Sequence, residues 1–248
     1  MASIPAKTLE RIRKAVPKFK RVLNRARERD VNEADTVTII SDVLEEVFGF
    51  DKYSEITREY AIRGTYCDLA VKYDDVVRYL IEIKAIGLDL KENHLRQAVN
   101  YAAGEGIEWV VLTNGIEWEI YHVSVKGKVD HELVCAFKFT ELNPRSGQDV
   151  EMLYMLCKRG IDKDLITDFY ERQQVVNKFM ITAIALSQPV ASTIRRELRK
   201  IKPGLKVDVE EIQEILQREA FKREVIETGT AQDTISKVSR AMARAAKK

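Results

Sequence analysis

Residues 65–73 (TYCDLAVKY) and 76–84 (VVRYLIEIK) are two alternating runs joined by Asp74–Asp75. Successive side chains leave a strand on opposite faces, so alternation with a period of two reads as strand. Two such runs around a pair of turn-forming residues predict an antiparallel hairpin. A helix over 89–103 follows, then WVVLT (109–113), an Asn114–Gly115 turn, EWEIYHV (117–123) and a further strand near 132–139. A helix set between strands is a crossover, so the pattern predicts an α/β sheet with helical cover. A strand over 55–60 and a turn at Arg63–Gly64 complete the expected sheet.

Two helices are expected before the strands. Over 6–29, Leu9, Ile12, Val16, Phe19, Val22 and Leu23 fall near helical spacing, with a bend at Pro17. Over 32–48 the apolar face is Val37, Ile40, Leu44 and Val47, and the helix stops near Gly49. Glu33 lies at the inward end of that face. It either sits at the helix N-terminus, where negative charge is favoured, or reaches a site beyond. Composition changes at Asn143–Pro144–Arg145–Ser146–Gly147, which reads as a boundary. Beyond it the chain reads as helices over 149–158, 162–186, 189–200, 208–226 and 231–247. The expected organisation is a basic N-terminal helix (1–30), an α/β core (31–143) and a helical C-terminal region (148–248).

Charge is informative by place rather than by sum. The formal net charge is +2 over 248 residues, which predicts neither a nucleic-acid binder nor an acidic one. Residues 1–30, however, hold ten Lys and Arg against Glu10, Glu28 and Asp30. Such an arm can meet phosphates or be a solvated helix face. Arg13, Lys20 and Arg27 are the cations expected to meet phosphate. Cys67, Cys135 and Cys157 are widely spaced, with no CxxC pair, so neither a zinc knuckle nor a disulfide framework is expected. Reducing cytoplasm fits that usage. The charged N-terminus lacks the apolar core of a signal peptide, and no apolar run reaches membrane-spanning length.

The chemistry concentrates on the hairpin. Asp68, Glu82 and Lys84 sit among apolar residues, and a carboxylate there is costly unless paired or bound to metal. Two carboxylates and an amine at one hairpin end suit a divalent-cation site for cutting phosphodiesters. Mg²⁺ prefers hard oxygen ligands and keeps several waters. Asp68, Glu82 and the Ile83 carbonyl would be its ligands, with Glu33 as a further ligand where it reaches the metal site, and with Mn²⁺ as a substitute. Lys84 would orient the attacking water or offset developing charge. Gln97 and Tyr101 are four apart on a helix and share a face, so they could hold phosphate or Lys84. The bland reading is a cross-strand Lys–carboxylate pair at a solvent face, which leaves Asp68 unexplained. His94, His122 and His131 are scattered and read as surface residues. Trp109, Trp118 and Tyr121 read as packing.

From Asn32 to about Val123 the chain resembles the PD-(D/E)XK nuclease superfamily. More narrowly, it resembles the N-terminal nuclease domain of type I restriction enzyme R subunits. The matching pieces are NEADT, FGFD, ITREY, YCDLAV, LIEIKA, QAVNY and VVLTNGIEWEIY. The resemblance implies a restriction-endonuclease-like core, a central mixed sheet flanked by helices with a Mg²⁺ site at its edge. It implies Asp68, Glu82 and Lys84 at the PD-(D/E)XK positions and Gln97 and Tyr101 at the QxxxY positions of RecB-type nucleases. Glu33 matches an acidic residue of the family's first helix. Cys67 stands where the motif name has Pro. No GxxxxGK[ST] phosphate loop occurs, so the ATP motor of a full R subunit is absent from these residues.

The leading expectation is therefore a Mg²⁺-dependent deoxyribonuclease with DNA as partner. Restriction-system subunits and a homodimer remain open. The alternative is a non-catalytic DNA-binding or protein-interaction module on a nuclease fold.

Overall fold

A computed structural model describes residues 3–62 and 65–245, and the Arg63–Gly64 turn lies outside them. The chain divides into two units, Met1–Asp168 and Phe169–Lys248. The Asn143–Gly147 turn, where composition changes, lies inside the first. The reason is that α4 (Gly147–Leu156), capped by Ser146, buries Val150, Leu153 and Leu156 and packs on α1.

The first unit is built on a six-stranded sheet in sequential order. Its strands are β1 (Ile56–Ile62), β2 (Thr65–Tyr73), β3 (Val76–Ile83), β4 (Trp109–Thr113), β5 (Glu117–Lys126) and β6 (Lys128–Lys138). Every neighbour pair is antiparallel except β3 and β4, which are parallel and joined by α3 (Glu92–Glu105). The sheet is thus mixed and flanked by helices, as expected. Asp74 and Asp75 both take positive φ, 52° and 61°. That is what a two-residue hairpin loop requires, and Asp tolerates it. The last hairpin is longer than expected. β5 and β6 pair down to Lys126 and Lys128 around Gly127, at φ 85°. The segment Ser124–Asp130 hid this pairing, because Val125 and Val129 are its only large apolar residues and Gly127 interrupts them.

Partners across strands share a face, which separates two layers. On one face lie Leu69, Ile81, Val111 and Ile120, with Ile83, Thr113 and Trp118 one step along. All seven are buried. Cover comes from α1 (Ala6–Glu28) and α2 (Glu33–Val43), the latter continued by a π turn over Leu44–Phe48. Phe48 meets Trp118 edge-to-face at 5.6 Å. α1 is one continuous helix through Pro17, burying Ile12, Val16, Phe19 and Leu23. Arg11 fixes it to α2, donating from Nε to the Val47 carbonyl and from Nη2 to that of Phe48. Those carbonyls end a helix and have no partner within it. Gly49 closes the helix at φ 82°, and a Cβ there would collide with the Arg11 guanidinium.

On the other face α3 buries Leu95, Ala98, Val99 and Ala102 against Ala70, Leu80, Val110 and Leu112. Ala70 and Leu80 pair directly, so Asp68 and Glu82, two positions from each, lie on this face too.

The second unit is helical. The expected helix over 162–186 is broken into α6 (Leu165–Val175) and α7 (Lys178–Ala185), and the short α5 (Lys158–Ile161) precedes them. α5 and the start of α6 belong to the first unit. Asn177 makes the last break by accepting the Met180 N–H and capping α7, a preference that competes with helix interior. α8 (Gln188–Ile201) and α9 (Val209–Ile215) pack through Ala191, Val209 and Ile212. α10 (Gly229–Ala245) packs on α7. Among the described residues no helix is long and apolar enough to cross a membrane.

Candidate active site

The site forms where β2 and β3 part. Their register runs to Leu69 opposite Ile81 and goes no further. Beyond that point the ladder no longer serves the Ile83 N–H. Asp68 Oδ2 takes it instead, at 2.6 Å. Cys67 Sγ donates to the Ile81 carbonyl at 3.2 Å. Side chains from β2 thus replace backbone pairing, and the Asp68 carboxylate is pinned beside the end of β3. Burial pushes the Cys67 thiol up to about 12, and the Glu82 and Asp68 charges push the same way. This cysteine stays a neutral thiol within the apolar cluster rather than a thiolate ligand.

Glu82 is only 8 % exposed, and Lys84 follows it at the end of β3. Lys84 Nζ donates to Glu82 Oε1 at 2.8 Å and lies 3.6 Å from Glu33 Oε2. The Lys84 backbone N–H is held by the Thr113 carbonyl of β4 at 2.9 Å. Asn32 sets the start of α2 by accepting the Asp35 N–H, which delivers Glu33 to Lys84. Glu33 is therefore half-exposed at the helix start, not packed on the apolar face, because the buried positions there begin at Thr36.

One ammonium faces three carboxylates, a local excess of negative charge. Burial raises the Asp68 pKa from its ordinary value, partly offset by the Ile83 N–H and the Lys84 charge. Glu33 and Glu59 add to the rise. Burial also raises Glu82, offset by the Lys84 bond and reinforced by Asp68 and Glu33. For Lys84, burial favours the neutral amine. The Glu82 bond and the charges of Glu82, Glu33 and Asp68 outweigh it, so its pKa rises. Lys84 is an ammonium at neutral pH.

The structure thus brings Asp68, Glu82, Ile83, Lys84 and Glu33 together. It does not join Gln97 and Tyr101 to them by any hydrogen bond among the described residues. Gln97 is exposed on α3. Tyr101 is half-buried against the cluster that contains Ala70 and Leu80. Sequence reasoning missed Glu59, which adds negative charge near Asp68 and has φ 45°. Only its place in the strand next to β2 could have drawn attention to it.

A hard divalent cation fits this donor set. Two partly buried carboxylates repel one another, their oxygens are hard donors, and the nearby thiol is turned away. Among the described residues no group of three or more His, Cys, Asp or Glu side chains is arranged to hold a metal. Glu33 accordingly meets Lys84 instead of completing a cage. Two carboxylates with a carbonyl and waters remain a sufficient set for Mg²⁺.

No curated protein and no solved structure matches the chain. Residues 41–135 match the family model of the type I restriction enzyme R protein N terminus. That stretch contains Asp68, Glu82, Lys84, Gln97 and Tyr101 and stops short of Glu33. This family supports a nuclease-like role, and over those residues the chain is similar to the N terminus of type I restriction enzyme R proteins.

Proposed function

We propose that the end of β3 is the active site of a Mg²⁺-dependent endonuclease that hydrolyses DNA phosphodiesters. The observation that carries this reading is the Lys84 ammonium, held by Glu82 at 2.8 Å and facing Glu33 at 3.6 Å, beside the two carboxylates that burial has raised. A structural ion pair needs one carboxylate for one lysine. A surplus of carboxylate with rising pKa values is unfavourable for folding and marks a functional arrangement.

Asp68, Glu82 and the Ile83 carbonyl would hold the cation. When bound, Mg²⁺ supplies Lewis-acid polarisation of the phosphate and an acidified water. The chain's own contribution is positioning. Asp68 is fixed by the Ile83 N–H and Glu82 by Lys84, so neither carboxylate must be ordered anew. Lys84 keeps its proton at neutral pH. Its role is to hold the attacking water in line and to offset the charge that develops on the phosphate oxygens, rather than to act as a neutral base. Glu33 steadies the ammonium from the start of α2. DNA and restriction-system subunits are the partners that the family match supports.

Supercoiled plasmid incubated with the protein and Mg²⁺ or Mn²⁺ should be nicked or linearised, and should survive intact in EDTA. Intact plasmid with metal, from protein that demonstrably binds the metal, would turn the reading toward a non-catalytic DNA-binding module.

A further inference from the structure

The strongest feature outside the site is the outer side of α1. Lys7, Lys14, Lys18, Arg21, Arg25 and the C-cap Arg29 recur at intervals of seven, four, three, four and four. At 3.6 residues per turn these positions align along one side of the helix. All six are exposed. The apolar side of α1 is spent within its own unit on Ile12, Val16, Phe19 and Leu23, so the ridge cannot be the polar face of a membrane-inserting helix. Among the described residues only Lys18 of the six has a side-chain partner, Glu46 at 2.6 Å.

Helix stability does not account for the ridge. Cations favour a helix C-terminus and oppose its N-terminus. Arg25 fits that rule, but Lys7 lies in a first turn with no acidic residue. The cations expected from sequence separate on the same test. Lys20 is used internally, donating to the Leu142 carbonyl at 3.0 Å. Arg13 and Arg27 lie more than a quarter turn away from the ridge.

The ridge runs roughly 33 Å from Lys7 to Arg29 at 1.5 Å per residue. That matches about ten base pairs of duplex at 3.4 Å each. Its far end leads to the site. Asp30 packs on Gly87, where a Cβ would collide with Asp30 Oδ1, three residues beyond Lys84. Glu33 then touches Lys84.

We infer that the outer side of α1 is a phosphate track that holds duplex DNA and leads it to the end of β3. The inference rests on the proposed DNA substrate, but binding is read without cleavage. The experiment is fluorescence anisotropy of a short DNA duplex in EDTA, titrated across salt concentrations. It compares the wild type with the triple variant Lys14→Gln, Arg21→Gln, Arg25→Gln. A control triple variant, Arg13→Gln, Arg27→Gln, Lys163→Gln, removes the same charge elsewhere on exposed positions. Each phosphate contact contributes a slope of about 0.9 in log affinity against log salt, so the ridge variant should be shallower by about 2.7. The control should keep the wild-type slope. Equal losses in both variants would reduce the effect to net charge and overturn the track. So would an unchanged ridge variant, or a wild type that binds phosphatidylserine vesicles through the ridge and not DNA. Plasmid cutting by a ridge variant of undiminished affinity would sink the track and spare the nuclease reading. Ridge-dependent binding without cutting would do the reverse.

Discussion

The two faces of the sheet are made by the same strands and serve opposite ends. One face carries Leu69, Ile81, Ile83, Val111 and Trp118, all at 1 % exposure or less. The other carries apolar cover from α3 and then, at its edge, Asp68, Glu82 and Lys84. On the first face every residue lowers the free energy of folding by leaving water. On the second, Asp68 and Glu82, joined by Glu33 from α2, crowd one ammonium, and burial raises the pKa of the first two. The period-two alternation of β3 puts Ile81 and Ile83 on one face and Glu82 and Lys84 on the other. A rigid apolar floor thus fixes the geometry of groups that are themselves costly to hold. Substitutions on the floor should cost stability, and substitutions on the charged edge should cost chemistry.

The largest expected effect is on the floor. Trp118→Ala removes a fully buried ring and its contact with Phe48, and should cost about 3–5 kcal/mol in denaturant unfolding. A loss under about 1 kcal/mol would mean that this face is not the core. On the edge, a saturating divalent cation should stabilise the wild type. At a hundred times its Kd the gain is about 2.7 kcal/mol, and Glu82→Gln should lose most of it. Equal stabilisation of both proteins would move the metal elsewhere.

The pH dependence is smaller, and its sign follows from the carboxyls. Asp68 and Glu82 hold their protons more tightly folded than unfolded. As pH rises from the ordinary carboxylate range, the folded chain binds more protons than the unfolded one, so stability falls until both groups are ionised. Without metal, Glu82→Gln should therefore gain on the wild type as pH rises from acid to neutral. A melting difference that stays flat across that range would contradict the raised pKa. Smallest is Gln97→Ala, which should change stability by less than about 0.5 kcal/mol. Any fall in cleavage should be below that of a Lys84 variant. A loss as large as the lysine's would show that α3 closes on the site when substrate binds.

Strand alternation made the site legible. Asp68, Glu82 and Lys84 share a face because the period of a strand is two, and Asp74–Asp75 fixed the pairing that brings them together. What the sequence could not reveal depends on how elements dock. Glu33 reaches Lys84 because Asn32 caps α2 beside the sheet edge, a tertiary relation that no local pattern records. Asp68 takes the Ile83 N–H because two strands part, and a ladder's end has no sequence signal. The break at Asn177 was hidden because apolar residues, Val175 and Val176 before it and Phe179 and Met180 after it, flank it on both sides. Lys20 and Arg21 are neighbours of one charge, yet one serves the Leu142 carbonyl and the other faces water. Only the packed helix distinguishes them.

The central claim is that the charged edge is built for hydrolysis and not for stability. The measurement that tests it most directly is plasmid cleavage by Lys84→Ala beside the wild type in Mg²⁺, with unfolding followed on the same preparations. Loss of one charge-stabilising donor typically costs about 10²–10³ in rate, so cutting should fall by that factor in a variant that is still folded under the assay conditions. Undiminished cutting by the variant, or a loss of cutting matched by a loss of fold, would contradict the account.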